Sequence, residues 1–237
     1  MNNTLPIIED AKVKMTYPRP VTSIKQIEVT TFCNLRCVYC PSPNLPRPYH
    51  HMDMEIFKRA LVWAKYYLDQ GTQDELSLTG IGEGLMHPNI VEMVKLSRET
   101  LPYNRIVIAT NGILLDDEMA AALAPYSPQM WVSMHRPEVA GPAIEVAKRH
   151  GIYGGMNSSF ATSALDWAGQ VDWFVSAPPT KCEFLRTGWG VVLSEGILTT
   201  CCLDATGEGI VGHVNDDPGT AYMKPYSLCK SCYMETP

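Results

Sequence analysis

The chain lacks several things, and each absence narrows what it can be. No apolar run in its 237 residues approaches the roughly 18 that suggest a membrane-spanning helix, so no membrane partner is expected. Positive charge is not in excess either: 19 Lys and Arg against 25 Asp and Glu leave a formal net charge of −6. That excludes a general nucleic-acid binder, whose phosphate contacts need a clustered cationic surplus, and leaves open a small acidic ligand in a local basic pocket. The first residues, MNNTLPIIEDAKVKM, have no basic stretch followed by an apolar core, so no export signal is read and a cytoplasmic location is expected. Internal repeats and low-complexity segments are missing too. What the chain does have is eight cysteines, which in a reducing compartment point to metal rather than to disulfides.

The first cysteine group organises the chain. Cys33, Cys37 and Cys40 lie in Thr31-Phe-Cys-Asn-Leu-Arg-Cys-Val-Tyr-Cys-Pro41, straight after the alternating run Ile24–Thr30, which places them in a loop leaving a strand. Three thiolates on so short a loop can wrap one face of an iron–sulfur cube, leaving one iron without a protein ligand. A structural zinc knuckle competes. Zinc, however, prefers four protein ligands with closer cysteine pairs, and no histidine follows until His50, across a proline-rich loop.

Hydrophobic content of 46% and charged content of 19% suit an ordinary folded chain, long enough for one large domain and one small. Residues 1–23 carry no persistent period and read as an arm. Four prolines within Pro41–Pro48 predict an extended, stiff path, either a cover for the cysteine loop or a surface connector. Asp53 caps a helix over Met54–Asp69 that Gly71 ends. Strands then follow at Glu75–Thr79, Arg105–Ala109, Met130–Met134, Ile152–Asn157 and Val171–Val175, alternating with helices at Asn89–Glu99, Asp116–Ala124 and Ala143–His150. This rhythm predicts an α/β fold of parallel strands joined by right-handed crossovers, with ligands outside the strands' carboxyl ends.

The first cysteine motif, with Tyr39 just before Cys40, resembles the signature of the radical S-adenosylmethionine (radical SAM) superfamily. The six strands are similar to that family's partial (β/α)6 TIM-like barrel, over residues 24–178. The resemblance implies a [4Fe-4S] cluster whose open iron chelates S-adenosylmethionine (AdoMet), and a reductant of the flavodoxin or ferredoxin type. It implies a 5′-deoxyadenosyl radical that takes hydrogen from an unactivated carbon. Ile81-Gly82-Glu83 stands where the family has Gly-Gly-Glu, whose carbonyls hold the methionine amino group. As a dinucleotide fingerprint Gly80–Gly84 fails the spacing. By the same resemblance Thr110, Asn111 and Ser133 stand where methionyl and ribose contacts fall, and Tyr39 lies near the adenine; each is equally an ordinary turn or strand-end residue. His135 and Arg136, at the mouth, are candidates for a base and a substrate-orienting cation, against the plain alternative of a strand cap and a solvated charge.

The second group is Cys182, Cys201, Cys202, Cys229 and Cys232, around an expected hairpin over Gly188–Leu198. Alone it also fits a zinc ribbon. With the first motif it resembles the auxiliary-cluster domains of the family in their short, "twitch" form, over residues 179–237, which implies an auxiliary [4Fe-4S] cluster on Cys182, Cys201, Cys229 and Cys232, with Cys202 spare. Asp204 and Gly212 fit the pattern, while His213 replaces its usual Asn. The whole is similar to dehydrogenases of the 2-deoxy-scyllo-inosamine type within the superfamily. That implies two-electron oxidation of a small-molecule alcohol with the auxiliary cluster as electron acceptor. Peptide side-chain modification is the second reading, and a non-enzymatic electron carrier or zinc scaffold the third.

Overall fold

The structure is a computed structural model that describes residues 16–157, 166–172, 181–232 and 234. Its elements, in order, are β1 (Arg19–Pro20), β2 (Ser23–Ile27), α1 (Met54–Asp69), β3 (Glu75–Ser77), α2 (Ile90–Thr100), β4 (Arg105–Thr110) and α3 (Asp117–Leu123). Then come β5 (Gln129–Ser133), α4 (Pro137–Arg149), β6 (Tyr153–Asn157), α5 (Glu183–Thr187), β7 (Trp189–Val192), β8 (Ile197–Thr199), β9 (Ile210–His213) and β10 (Tyr222–Met223).

Among the described residues one sheet of eight strands runs β6-β5-β4-β3-β2-β7-β8-β9. Each pair from β2 to β6 is parallel, as the strand–helix rhythm requires, giving the α/β partial barrel. The strand interiors are apolar at Ile24, Ile27, Leu76, Ile106, Ile108, Met130 and Val132, all fully enclosed. Helix α1 covers them with Phe57, Ala60, Leu61, Trp63, Ala64 and Tyr67 on one face, at the i, i+3, i+4, i+7 spacing of its sequence. Each large side chain there contributes roughly 1.5–3 kcal/mol by leaving water. The Asp53 carboxylate accepts from the Glu55 amide, and Gly71 leaves the helix at φ +74°.

One expectation falls mostly outside the described residues, and two need correction. The sixth barrel strand was expected at Val171–Val175; Val171 and Asp172 form a bend, and the remainder lies outside the described residues. A further parallel strand joins the opposite edge, where β7 pairs with β2. Helix α4 starts at Pro137, six residues before the expected Ala143. Pro137 occupies the first turn, where its missing N–H costs nothing, and Pro142 is carried inside the helix because Ala140, Ala143 and Ala147 bury the same face. Finally, the proline-rich segment is not extended throughout, since Ser42–Asn44 form one 3-10 turn.

The hairpin β7–β8 is antiparallel, as expected, and β9 adds to β8. The segment read as an arm ends in order: β1 pairs antiparallel with β10, and the Val21 and Thr22 amides donate to the Ala221 and Gly188 carbonyls. No helix among the described residues is long and apolar enough to cross a membrane.

Candidate active site

The carboxyl ends of β2 to β6 converge on a cavity of about 320 Å³. Its wall contains Cys33, Cys37 and Cys40 from the loop after β2, and Gly80–Glu83 from the loop after β3. Thr110 and Asn111 from the end of β4, His135 beyond β5 and Asn157 at the end of β6 complete that side, with Tyr39 among them. Of the residues singled out in the sequence, Ser133 and Arg136 are not part of this wall. Ser133 is buried beside β6, in register with Asn157. The Arg136 guanidinium faces Glu138 at 2.9 Å with half its side chain exposed.

The local geometry suits thiolates bound to a metal cluster. The Leu35 and Ser42 amides, each two residues beyond a cysteine, point at Cys33 Sγ and Cys40 Sγ at 3.5 Å. Burial pushes the Cys33 thiol up, and the Cys40 thiol up to about 11, against the pull of those amides. A cation that binds only the deprotonated sulfur relieves this resistance. All eight cysteines are free thiols. Among the described residues no three or more His, Cys, Asp or Glu converge closely enough for a single metal ion.

Glu83 is fully buried and ties three loops together. Its amide donates to Phe32 O at 2.8 Å, and its carboxylate accepts from Asn111 N at 2.7 Å and Leu85 N at 3.2 Å. Burial raises its pKa while these amides oppose the shift. Asn111 also donates from Nδ2 to Asn34 Oδ1 at 2.7 Å, joining the β4 end to the cysteine loop. At Gly82 a Cβ would lie 2.6 Å from Phe32 O and would overlap Thr30 O, so the glycine lets two loop backbones meet.

Tyr39 is buried, and its hydroxyl lies 3.0 Å from His135 Nδ1. Burial lowers the His135 pKa, which keeps the ring neutral near pH 7. The other histidines at this rim, His51 and His87, belong to the packing: Thr30 Oγ1 lies 3.0 Å from His51 Nδ1, and His87 is held by Met52 O and the Asn89 amide.

Four of the five cysteines of the second group share one pocket. Cys182, Cys201, Cys229 and Cys232 line one apolar pocket together with Ala168, Leu185 and Leu228. Leu203 N points at Cys201 Sγ at 3.3 Å and Met234 N at Cys232 Sγ at 3.4 Å, the same amide-to-sulfur pattern as in the first loop. Cys202 lines the first cavity beside Leu203 and Trp167, with its thiol in contact with that of Cys201. A small apolar cluster containing Leu45, Ile81, Trp167 and Leu203 packs against Cys40, Cys201, Cys202 and Cys232. Asp204 shapes the loop after these cysteines, its carboxylate taking the amides of Gly207, Glu208 and Gly209 at 2.8–3.0 Å and Thr199 Oγ1 at 2.6 Å. His213, where the pattern has Asn, still ties the hairpin, with Nε2 3.2 Å from Glu195 O.

Sequence reasoning missed a buried charge network. Arg47 donates to both Glu28 oxygens at 2.9 and 3.1 Å and to both Glu195 oxygens at 2.9 and 2.7 Å. No motif marks it; the nearest signal is a lone acid, Glu28, within an otherwise apolar strand end.

Comparison with known proteins shows the family. The family described as Radical SAM superfamily matches residues 27–154, more than half of the chain. The GTP 3′,8-cyclase of Chlorobaculum tepidum is 36% identical over 97 residues, covering 40% of this chain but 28% of that relative. A tungsten-containing aldehyde ferredoxin oxidoreductase cofactor-modifying protein of Pyrococcus furiosus is 34% identical over 101 residues, 41% of this chain and 26% of its own. The chain thus spans less than a third of the curated relatives it matches. Among solved structures, BtrN in complex with AdoMet and 2-DOIA shares the fold with a TM-score of 0.67 at 21% identity, over 81% of this chain and 78% of that one. The AdoMet-bound anSMEcpe does so with a TM-score of 0.58 at 15% identity, over 82% and 78%. The matched span covers the Cys33-Cys37-Cys40 loop and the Gly80–Glu83 loop that close on one cavity, and the chain belongs to the radical SAM superfamily.

Proposed function

We propose that this radical SAM enzyme dehydrogenates a small-molecule alcohol, with a second iron–sulfur cluster on Cys182, Cys201, Cys229 and Cys232 as the electron acceptor. The observation that carries the reading is the back-to-back placement of the two thiol groups, with Cys201 in one pocket and its neighbour Cys202 in the wall of the other. Cys33, Cys37 and Cys40 hold the first cluster, and the loop Gly80–Glu83 with Thr110 and Asn111 receives AdoMet. The groups held there would supply the radical chemistry for hydrogen abstraction at the carbinol carbon and a site for the remaining electron.

The chain's own residues do the rest. Oxidation of an alcohol to a ketone releases one hydrogen atom, one proton and one electron, and His135 takes the proton. For that role Nδ1–H donates to the Tyr39 oxygen, which leaves Nε2 as the acceptor. Its depressed pKa keeps the ring in the form that can accept. Arg136 pairs with Glu138 at 2.9 Å outside the cavity wall, and the reading gives it no step.

The described residues lining the cavity include no Lys or Arg, so a triphosphate of the kind named in GTP 3′,8-cyclase has no cationic partner there. Peptide modification is the second reading, favoured by the likeness to anSMEcpe with a bound Cp18Cys peptide, at a TM-score of 0.55. The test is iron, acid-labile sulfide and zinc content of anaerobically reconstituted protein, with the Cys33/Cys37/Cys40 triple Ala variant, followed by product analysis. About eight irons falling to about four, and a two-electron loss from a free alcohol, support the proposal. Four irons with one zinc remove the electron acceptor and end it; a mass change or inversion in a peptide moves the assignment to the second reading.

A further inference from the structure

The mechanism makes no use of the buried charges between the two thiol sites. Glu28 follows β2 directly and is 1% exposed, and Arg47, in the proline-rich segment, is 8% exposed. The Glu28 carboxylate accepts from the Ile81 amide at 3.0 Å, and Glu28 fills the space where a side chain on Gly80 would go, so it holds the AdoMet-side loop. It also accepts from Ser194 Oγ at 3.1 Å, at the hairpin turn. Arg47 spans the rest: one edge of its guanidinium on Glu28, the other on Glu195, and Nε donating to Ala205 O at 2.8 Å. Ala205 lies in the loop that Asp204 folds just after Cys201 and Cys202, and Gly207 in that loop packs 3.2 Å from Arg47 Cδ when given a Cβ.

We propose that Arg47 is a positioning residue that couples the two sites: by gripping Glu28, Glu195 and the Ala205 carbonyl at once, it fixes the loop after Cys201 and Cys202 against the AdoMet-side loop Gly80–Glu83. A planar, five-donor guanidinium engages both oxygens of each of two carboxylates and a carbonyl from separate nitrogens, a spread that the three donors of a single ammonium nitrogen do not reproduce. Because the two loops share one clamp, ligand binding at the first is felt at the second, and the coupling is reciprocal. The proposal takes its two sites from the function proposed above, but these contacts are independent of whether the second site holds iron or zinc. Metal content therefore reports on that reading and amide exchange on this one.

The experiment is hydrogen–deuterium exchange on the reconstituted holoenzyme with and without AdoMet, in wild type, Arg47→Lys and Glu195→Gln. In wild type, AdoMet is expected to slow exchange at Gly80–Glu83 and, with it, at Leu203–Gly209. In Arg47→Lys both segments exchange at least about tenfold faster, α1 is unchanged, and AdoMet no longer protects Leu203–Gly209. Glu195→Gln, at a partly exposed partner, is expected to speed exchange of the Ile81 amide, which bonds Glu28 and not Glu195, by about threefold. Protection of Leu203–Gly209 by AdoMet that persists in Arg47→Lys overturns the proposal. So does a Glu195→Gln effect confined to residues 194–209, or acceleration spread evenly over α1 and both loops, which marks a merely structural ion pair.

Discussion

Replacing Glu83 by Ala tests whether this residue acts by tying loops or by touching ligand. Its carboxylate is the acceptor for two buried amides, Asn111 N at 2.7 Å and Leu85 N at 3.2 Å, and Ala leaves both without a partner. Each orphaned buried donor costs about 1–3 kcal/mol, so the gross loss is about 2–6 kcal/mol. Part is returned because the desolvated charge disappears with the side chain. Burial raises the Glu83 pKa, so the fold prefers the protonated carboxyl; its contribution is fullest below the ordinary value of 4.5 and declines as pH rises through the raised folded value. At neutral pH the charge is thus carried at some cost, and a net loss of about 3 kcal/mol is expected for Ala.

For a chain of this size that corresponds to a fall in Tm of about 6–12 °C, measured by circular dichroism on reduced, metal-free protein at pH 7. Gln keeps one acceptor oxygen and drops the buried charge, so it is expected to lose only about 1 kcal/mol and to flatten the pH dependence above 4.5. AdoMet affinity should follow stability in the order wild type, Gln, Ala. An Ala variant that unfolds within about 1 kcal/mol of wild type yet no longer binds AdoMet would refute the loop-tying argument and make Glu83 a direct ligand contact.

Two other outcomes are expected. Cys201→Ser should lose the second cluster's iron while the first remains, and Cys202→Ser should keep the iron of both, read by iron and sulfide content of each variant; equal losses would mean that the two thiols share the second site. Acid should destabilise the fold below about pH 6.5, because burial lowers the pKa of His51, His87 and His135 from 6.5. Stability from these neutral rings is present above 6.5 and is lost as pH falls through their folded values. His87 has the clearest cause, since its Nε2–H donates to Met52 O at 2.9 Å and Nδ1 accepts from Asn89 N at 3.0 Å, so an added proton sets two donors against each other. Thermal unfolding at pH 7.5 and 5.5 should show the drop shrinking in His87→Gln, and an unchanged slope would exclude His87 as a source.

Local signals carried most of what the sequence could tell. Helix α1 runs over the expected residues because its cap, its apolar spacing and its terminal glycine agree, and each is settled within a turn or two of chain. The Cys33, Cys37 and Cys40 loop and the hairpin were legible for the same reason: spacing alone sets which thiols can meet. What was not legible depends on partners far along the chain. Pro142 reads as a helix breaker until the alanine face of α4 is seen against the barrel. Arg136 and His135 are neighbours at the same strand end, yet one turns to Glu138 and the other into the cavity, a choice made by packing. The Arg47 clamp joins residues 19 and 148 positions apart, a separation at which no local pattern exists.

Cys201 and Cys202 show how one such nonlocal feature decides chemistry. The two thiols are chemically alike and adjacent, and only the path of the chain leaving β8 places one in the pocket of Cys182, Cys229 and Cys232 and the other in the wall of the first cavity. That path is set by register: Val191 faces Thr199 and Val192 faces Leu198, and β7 is itself fixed by pairing with β2. A slip that carried the chain back by one residue along β8 would put Cys202 where Cys201 stands and Cys201 where Thr200 stands, so a different thiol would stand in the place beside Cys182, Cys229 and Cys232. The hairpin turn resists this slip. Gly196 sits at φ +89°, where a Cβ would lie 2.9 Å from His213 Nε2 and 3.0 Å from Val214 Cγ2, so the turn closes tightly against β9 and its flank. The spacing from Gly196 to Cys201 thus fixes more than a count of residues, because it determines which of two equivalent thiols can reach the second site.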